Sequence, residues 1–345
     1  MMTLRQRLGI DVPIIQAPMA GVQGSALAIA VSNAGALGSL PCAMLSPEGL
    51  AQELAAIGGQ TARAFNVNFF CHVTPPLDAN REAAWRAALT PYYREFDIDA
   101  SSIKPGPGRA PFSGETAAVL EAAKPRVVSF HFGLPAGELL ARVRALGAMI
   151  LASATTVDEA RWLERQGVDA IIAQGFEAGG HRGMFLSDDL TTQLGTFALV
   201  PQIVRAVCVP VIAAGGVADA NGVKALLALG ASAVQVGTAF LCCPEATTSR
   251  IHRAALVGDA ARHTAITNVF TGRPARGIVN RIVRELGPIS AQAPAFPLAT
   301  AALAPLRAEA ERRGSGDFSP LWSGQNASGC RDVPAAALVH QLAGC

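Results

Sequence analysis

The chain of 345 residues has no long run of like charge, no long apolar stretch and no CxxC pair of cysteines. Only 16% of its residues are charged, and the formal net charge is +2. That leaves no electrostatic footprint for nucleic acid or an anionic membrane surface. No stretch of 18 apolar residues escapes interruption by Gly, Asn or Ser, so no transmembrane helix is expected. The seven cysteines (Cys42, Cys71, Cys208, Cys242, Cys243, Cys330 and Cys345) are odd in number and irregularly spaced. There is no CxxC pair and no His/Cys cluster with zinc spacing, so neither a disulfide framework nor a metal centre is expected. Several cysteines lie in apolar runs, where a thiol packs as a small hydrophobe, and a reducing compartment fits them best. The opening MMTLRQRLGIDVPIIQAPMAG does not read as a signal peptide, because Asp11 and Pro13 break its apolar run. A cytoplasmic location is the expectation.

Apolar residues, in contrast, make up half of the chain, enough for a large core. Short apolar runs ending in Gly, Asn or Gln alternate with alanine-rich segments of helical character. Strands are expected at 12–19, 35–40, 64–70, 127–132, 148–154, 169–175, 209–216 and 232–240. Most lack polar alternation, as parallel strands buried on both faces do. Helices are expected between most of them, for example over 157–167 and 219–230, the latter with Asp219 as N-cap and Gly230 as stop. Eight strand–helix repeats in about 240 residues fit a (β/α)8 TIM barrel better than a doubly wound open sheet. The expected organisation is a barrel over 1–240 and a C-terminal extension, a helical lobe packed on it, over 241–345. Residues 88–115 form a long excursion between the third and fourth strands, a length associated with functional or disordered loops.

Four constellations carry chemistry. VIAAGGV (211–217) and SAVQVGT (232–238) end consecutive strands in Gly215–Gly216 and Gly237–Thr238. Loops after strands seven and eight of a barrel, opening helix N-termini, make a phosphate cradle. Asn68, Gln174 and Gln235 place three amides near the C-terminal ends of apolar strands, where donors and acceptors together suit a flavin-like heterocycle. QAPMAG (16–21) supplies a flat wall at the end of strand one. QGFEAGGHRG (174–183) sets His181 among glycines, and HFG (131–133) puts His131 on the same rim; histidine is the default acid/base group near neutrality. His72, His252, His263 and His340 read as structural or surface residues.

With these motifs in order, the chain resembles the nitronate monooxygenases, formerly 2-nitropropane dioxygenases. QAPMAG, FNVNFF, HFGLP, QGFEAGGHRG, AAGGV, QVGTAFL and the run FPLATAALAPLRAEAERRGSGDFSPLWSGQ carry the resemblance over nearly the whole chain. HFGLP together with EAGGH is similar to the class I enzymes. The resemblance implies an FMN-dependent barrel that needs neither metal nor nicotinamide. It implies FMN contacts at Asn68, Gln174, Gly179, Gly216, Gln235, Val236, Gly237 and Thr238, with Ala17, Pro18 and Met19 beside the ring. Gly180 and Gly215 join the same turns. The implied reaction is oxidation of an alkyl nitronate, such as propionate 3-nitronate, by O2 to a carbonyl compound and nitrite. His181 would hold a nitronate oxygen, with His131 as second candidate. Tyr92 and Tyr93, in the excursion, could form a lid or pack on the surface. Glu177 and Arg182 read as anchors of the glycine loop, since no step calls for them. The partners implied are a small nitronate and O2, in a monomer or homodimer.

Three alternatives stand beside this reading. A flavin-dependent enoyl-acyl carrier protein reductase also carries an EAGGH-type motif, but tends to have Glu at the position of Gln174, lacks HFGLP and needs a reduced nicotinamide. A barrel lyase or isomerase would bind a phosphorylated substrate in the cradle; the three amides suit a ring better. A flavin-binding protein without turnover would leave His181 without a role.

Overall fold

The structure, a computed structural model, describes residues 2–103 and 108–344. Its frame is a ring of parallel strands: β1 (Ile14–Gln16), β2 (Gly38–Pro41), β3 (Phe65–Phe70), β4 (Val127–His131), β5 (Met149–Ala154), β6 (Ala170–Gln174) and, after the two-residue β7 (Gly180–His181), β8 (Val211–Ala214) and β9 (Ala233–Val236). The hydrogen-bonded order is β1-β9-β8-β6-β5-β4-β3-β2. β1 and β2 meet at the seam, where Gln16 N–H donates to Leu37 O at 2.9 Å and Leu37 N–H to Ile14 O at 3.0 Å. The ring is thus a TIM barrel, and its eight strands are the eight expected from sequence, each shorter than its apolar run.

Burial on both faces explains why the runs read as continuous. Along β6, Ile171 and Ala173 face the surrounding helices, while Ala170 and Ile172 join the barrel interior with Ile15, Leu37, Leu151 and Ile212. The helix Leu4–Leu8 is too short to persist alone. It is held by a capping box between Thr3 and Gln6, and by Leu4 and Leu8, which close the floor of the barrel. Each such leucine contributes about 1.5–3 kcal/mol on burial. The helix Ala220–Ala228 starts where expected: Gly222 N–H donates to Asp219 Oδ1 at 2.8 Å.

Two sequence expectations need correction. Residues 241–345 are not purely helical: β10 (Thr264–Thr267) and β11 (Ala275–Ile278) pair antiparallel, and β11 also pairs with β7. The last helix of this region, Ala335–Ala343, packs on the barrel helices Ser25–Asn33 and Ala220–Ala228. The excursion 88–115 is also partly helical, over 88–95 and Ala100–Ser102, and its residues 104–107 lie outside the described residues. The helix Ala79–Glu95 packs against Ala299–Arg312 and buries Trp85, Tyr92 and Tyr93 among Val269, Leu303 and Phe318. Apolar residues at helical spacing had a tertiary partner more than 200 positions away, which a local reading cannot supply. Neither tyrosine is a lid: Tyr92 donates to Glu285 Oε2 at 2.8 Å and Tyr93 to Ala302 O at 2.6 Å.

The six described cysteines are free thiols, and Cys345 lies outside the described residues. No helix among the described residues is long and apolar enough to cross a membrane.

Candidate active site

The C-terminal ends of the barrel strands open into a cleft of about 1240 Å³, its mouth included. All fifteen residues singled out in the sequence line it. What each can still do depends on which of its polar atoms are already occupied.

The glycine turns form one part of the wall. Gly215 and Gly216 have φ of +126° and +73°, a backbone that L side chains rarely adopt, and a Cβ at Gly215 would sit 2.7 Å from Thr196 Oγ1. The second turn continues from β9 through Gly237 into the short 3-10 turn Thr238–Cys242, whose first N–H groups have no acceptor within the turn. Ala17 N–H donates to Val236 O at 2.8 Å, which sets the Ala17–Met19 wall against that turn. The C-terminal region closes over both. Gly324 N–H donates to Thr238 Oγ1 at 2.9 Å, and Asn326 Nδ2 to Gly216 O at 3.3 Å. Gly179 passes so close beneath this strap that a Cβ would lie 2.5 Å from Gly324 N.

The three amides part company. Asn68 Nδ2 donates to Ser129 Oγ at 2.9 Å, within a buried network with Asn66. Gln174 is occupied at both ends: Nε2 donates to His181 O at 2.9 Å, and Oε1 accepts from Gly183 N–H at 2.7 Å. It ties down the loop that carries His181 and still lines the cleft, with one N–H of its amide unused. Gln235 Oε1 alone remains buried without a donor. An acceptor in that state is costly unless something fills the cleft and donates to it.

His181 belongs to β7 and is held opposite Ala275 of β11. Its Nε2 lies 2.9 Å from Thr271 Oγ1. Phe70, Phe132, Phe296 and Trp322 surround the ring, with centroids 5.3–6.1 Å away. This apolar box, helped by the nearby Arg109 guanidinium, holds the imidazole neutral, well below its ordinary pKa. Phe132 reaches the box through a backbone with φ of +69°, rare for a bulky residue. His131 is engaged at both nitrogens: Nε2 donates to His181 O at 3.2 Å, which leaves Nδ1 to accept from Ser153 Oγ at 3.0 Å. Burial pushes its pKa down to about 3. His131 thus braces the backbone of His181.

The two charged residues of the glycine loop are anchors. Glu177 Oε2 accepts from Thr196 N–H and Oγ1, both at 2.7 Å. Arg182 is fully buried and donates to Gln174 O at 2.8 Å, Gly175 O at 2.7 Å and Gln193 Oε1 at 3.0 Å.

Sequence reasoning missed several lining residues, including Phe70, Arg109, Ser153, Trp322, Gly324 and Asn326. It also set aside His252, which lines the cleft with Nε2 3.0 Å from Trp322 O, and His72, which is buried beside Phe296. His263 and His340 are exposed, as expected. The Trp-Ser-Gly step at 322–324 is the one local signal that could have marked the strap. Nothing local marks Arg109.

A model of the nitronate monooxygenase family matches residues 2–344. A nitronate monooxygenase of Paraburkholderia phytofirmans is 44% identical over 339 residues, 97% of this chain and 92% of its own. Among solved structures, nitroalkane oxidase from Streptomyces ansochromogenes superposes with a TM-score of 0.88 at 39% identity, covering 97% of this chain and 95% of that one. FabK from Thermotoga maritima superposes less closely, with a TM-score of 0.73 at 27% identity over 99% and 95% of the two chains.

Proposed function

The chain belongs to the nitronate monooxygenase family, flavin enzymes that oxidise nitronates, and from that premise we propose that its cleft holds FMN and that His181 orients the nitronate. The observation that carries the cofactor reading is the orphaned Gln235 Oε1 beside two glycine turns. An acceptor flanked by backbone N–H groups fits a ring N–H and a terminal phosphate together, which is the donor and acceptor set of FMN. Gly215, Gly216, Gly237 and Thr238 would hold the phosphate; Ala17, Pro18 and Met19 would lie against the ring; Asn68, Gln174, Gly179, Gly180 and Val236 would shape the cavity around it. FMN supplies the electron acceptor for the nitronate and the means of passing electrons to O2.

The rest follows from this chain's own side chains. A nitronate already carries the electron pair on carbon, so no strong base is needed. His181 is neutral, and its Nε2 is engaged with Thr271. Nδ1 has no partner among the described residues and is the atom offered to the nitro oxygen. The Thr271 hydroxyl has two acceptors in reach, Arg273 O at 3.5 Å and Nε2 at 2.9 Å; donation to the nearer one leaves the imidazole proton on Nδ1, whose N–H donates to the nitro oxygen. The aromatic box excludes water and strengthens this hydrogen bond. His131 and Gln174 keep the loop in place and take no proton.

His181→Asn should retain bound FMN and lose about tenfold or more in kcat/KM for a nitronate. Oxygen uptake and nitrite release measure the loss, and the visible spectrum measures the cofactor. Near-normal kcat/KM would return His181 to a packing role. Consumption of NADH with an enoyl thioester, without nitronate turnover, would favour the reductase instead.

A further inference from the structure

Two thiols meet beside the cleft wall and take no part in the chemistry above. Cys242 ends the short turn Thr238–Cys242, which opens at the cradle residue Thr238. Cys330 comes from the C-terminal region. Both pack in one apolar cluster with Leu241, Leu256 and Leu321. The Cys330 S–H has two acceptors in reach, Thr238 O at 3.1 Å and the Cys242 sulfur. Cys243 adjoins Cys242 in sequence but belongs to the main barrel core, and burial pushes its thiol up to about 12.

The surroundings give the two sulfurs different roles. The hydrogen bond from Cys330, with the Arg253 guanidinium nearby, holds the Cys242 thiol down to about 7, so a large share of it is thiolate at neutral pH. Arg253 is fixed there: it donates to Cys243 O and Ala246 O at 2.8 Å and to Thr248 O at 3.0 Å. The same contact, together with burial, pushes the Cys330 thiol up, so it keeps its proton. Cys242 is buried, and the half-buried Cys330 gives the pair its access to solvent. A thiolate beside a protonated thiol is an attacking sulfur with a resolving partner.

The strap over the cleft leads directly to this pair. It crosses both glycine turns on its way: Gly324 donates to Thr238 Oγ1, Asn326 to Gly216 O, and Gly329 passes Ala218 O with no room for a Cβ. A bond between Cys242 and Cys330 would therefore join the strap covalently to the second turn.

We propose that Cys242 and Cys330 form a modification site at which a hydroperoxide converts the two thiols to a disulfide that fastens the strap over the glycine turns. The Cys242 thiolate attacks one peroxide oxygen; the O–O bond breaks, hydroxide leaves and Cys242 becomes a sulfenic acid. The Cys330 sulfur then forms the S–S bond and displaces the hydroxyl, which leaves as water with the Cys330 proton. The two sulfurs lose two electrons and the peroxide gains them. The disulfide stands on the two sulfurs alone; only its effect on cofactor retention rests on the reading of the cleft as an FMN site.

The test uses the holoenzyme, freed of reductant and treated with hydrogen peroxide, after which N-ethylmaleimide blocks the remaining thiols. Trypsin without reductant should then yield residues 225–250 joined to residues 314–331, a species that disappears when reductant is added. Cys330→Ser and Cys242→Ser should each abolish it, and Cys243→Ser should retain it. Recovery of both peptides unlinked and alkylated from the wild-type protein, or a link that survives Cys242→Ser, would overturn the assignment. The wild-type digest decides even where a variant does not fold. Oxidised wild type should also release FMN about threefold or more slowly than reduced wild type, read by flavin fluorescence in the filtrate. Equal release rates from linked and unlinked protein would overturn the fastening of the strap. If the link forms in a protein that binds no flavin, the cofactor reading fails and the disulfide stands.

Discussion

Acidification from pH 7 to 5 should destabilise this fold far more than its surface charges suggest. Burial pushes His72 and His252 down to about 4 and His131 down to about 3. The unfolded chain titrates each near 6.5, so below that pH it binds protons that the folded chain refuses. Stability is therefore full above about pH 7 and falls with pH. The window ends near pH 4 for His72 and His252 and near pH 3 for His131. Between pH 7 and 5 each histidine removes about 2 kcal/mol, and the three together about 6 kcal/mol. His181, also held neutral by burial, acts in the same direction. Carboxylates such as Glu95 and Glu285, held low by Arg281 and Tyr92, stay ionised in both states above pH 5 and contribute little in this window. Against a usual total of about 5–15 kcal/mol, the expected loss is large. Urea unfolding followed by circular dichroism at pH 7, 6 and 5, with flavin in excess, measures it from midpoint and slope. A total fall below about 2 kcal/mol would refute the claim that three neutral histidines are buried. His72→Phe should remove about one quarter of the pH dependence, since it takes away one of four buried histidines and leaves a ring of similar shape in its place.

Gly179→Ala should push the Gly324 strap off the cleft, because the new Cβ would lie 2.5 Å from Gly324 N and 2.6 Å from Ser323 C. The flavin-to-protein ratio after purification should drop, and a normal ratio would count against the strap as part of the cofactor wall. Glu177→Gln should cost about 1.5–3 kcal/mol in urea unfolding, because it weakens two charged hydrogen bonds to Thr196, while the pH profile of nitronate turnover keeps its shape. A changed profile would mean that Glu177 takes part in the chemistry. Gln235→Leu removes the orphaned acceptor and should weaken FMN binding by about tenfold in a fluorescence titration. Unchanged affinity would refute its pairing with the ring.

Much of the fold was legible locally. Strands β1 to β6, β8 and β9 were recognisable because parallel strands buried on both faces must be apolar throughout. The glycine turns were equally readable, since the left-handed backbone at Gly216 favours that residue. The errors share one cause. Tyr92 and Tyr93 looked like loop residues because their burial depends on Leu303 and Phe318. Nothing local shows, either, that the Gln174 amide also holds His181 O and Gly183 N–H.

By itself the sequence determined the barrel, the rim on which function lies and the residue types that gather there, because hydrophobic period and backbone permissiveness are local properties. Which polar atoms remain free was decided only by tertiary structure, because a hydrogen bond is a relation between two groups that the fold brings together. Pairing of β7 with β11 holds His181 in place, and the distant Phe296 and Trp322 keep it neutral. The same folding leaves Gln235 Oε1 without a partner, and the expected contact of this cleft with its cofactor starts from that atom.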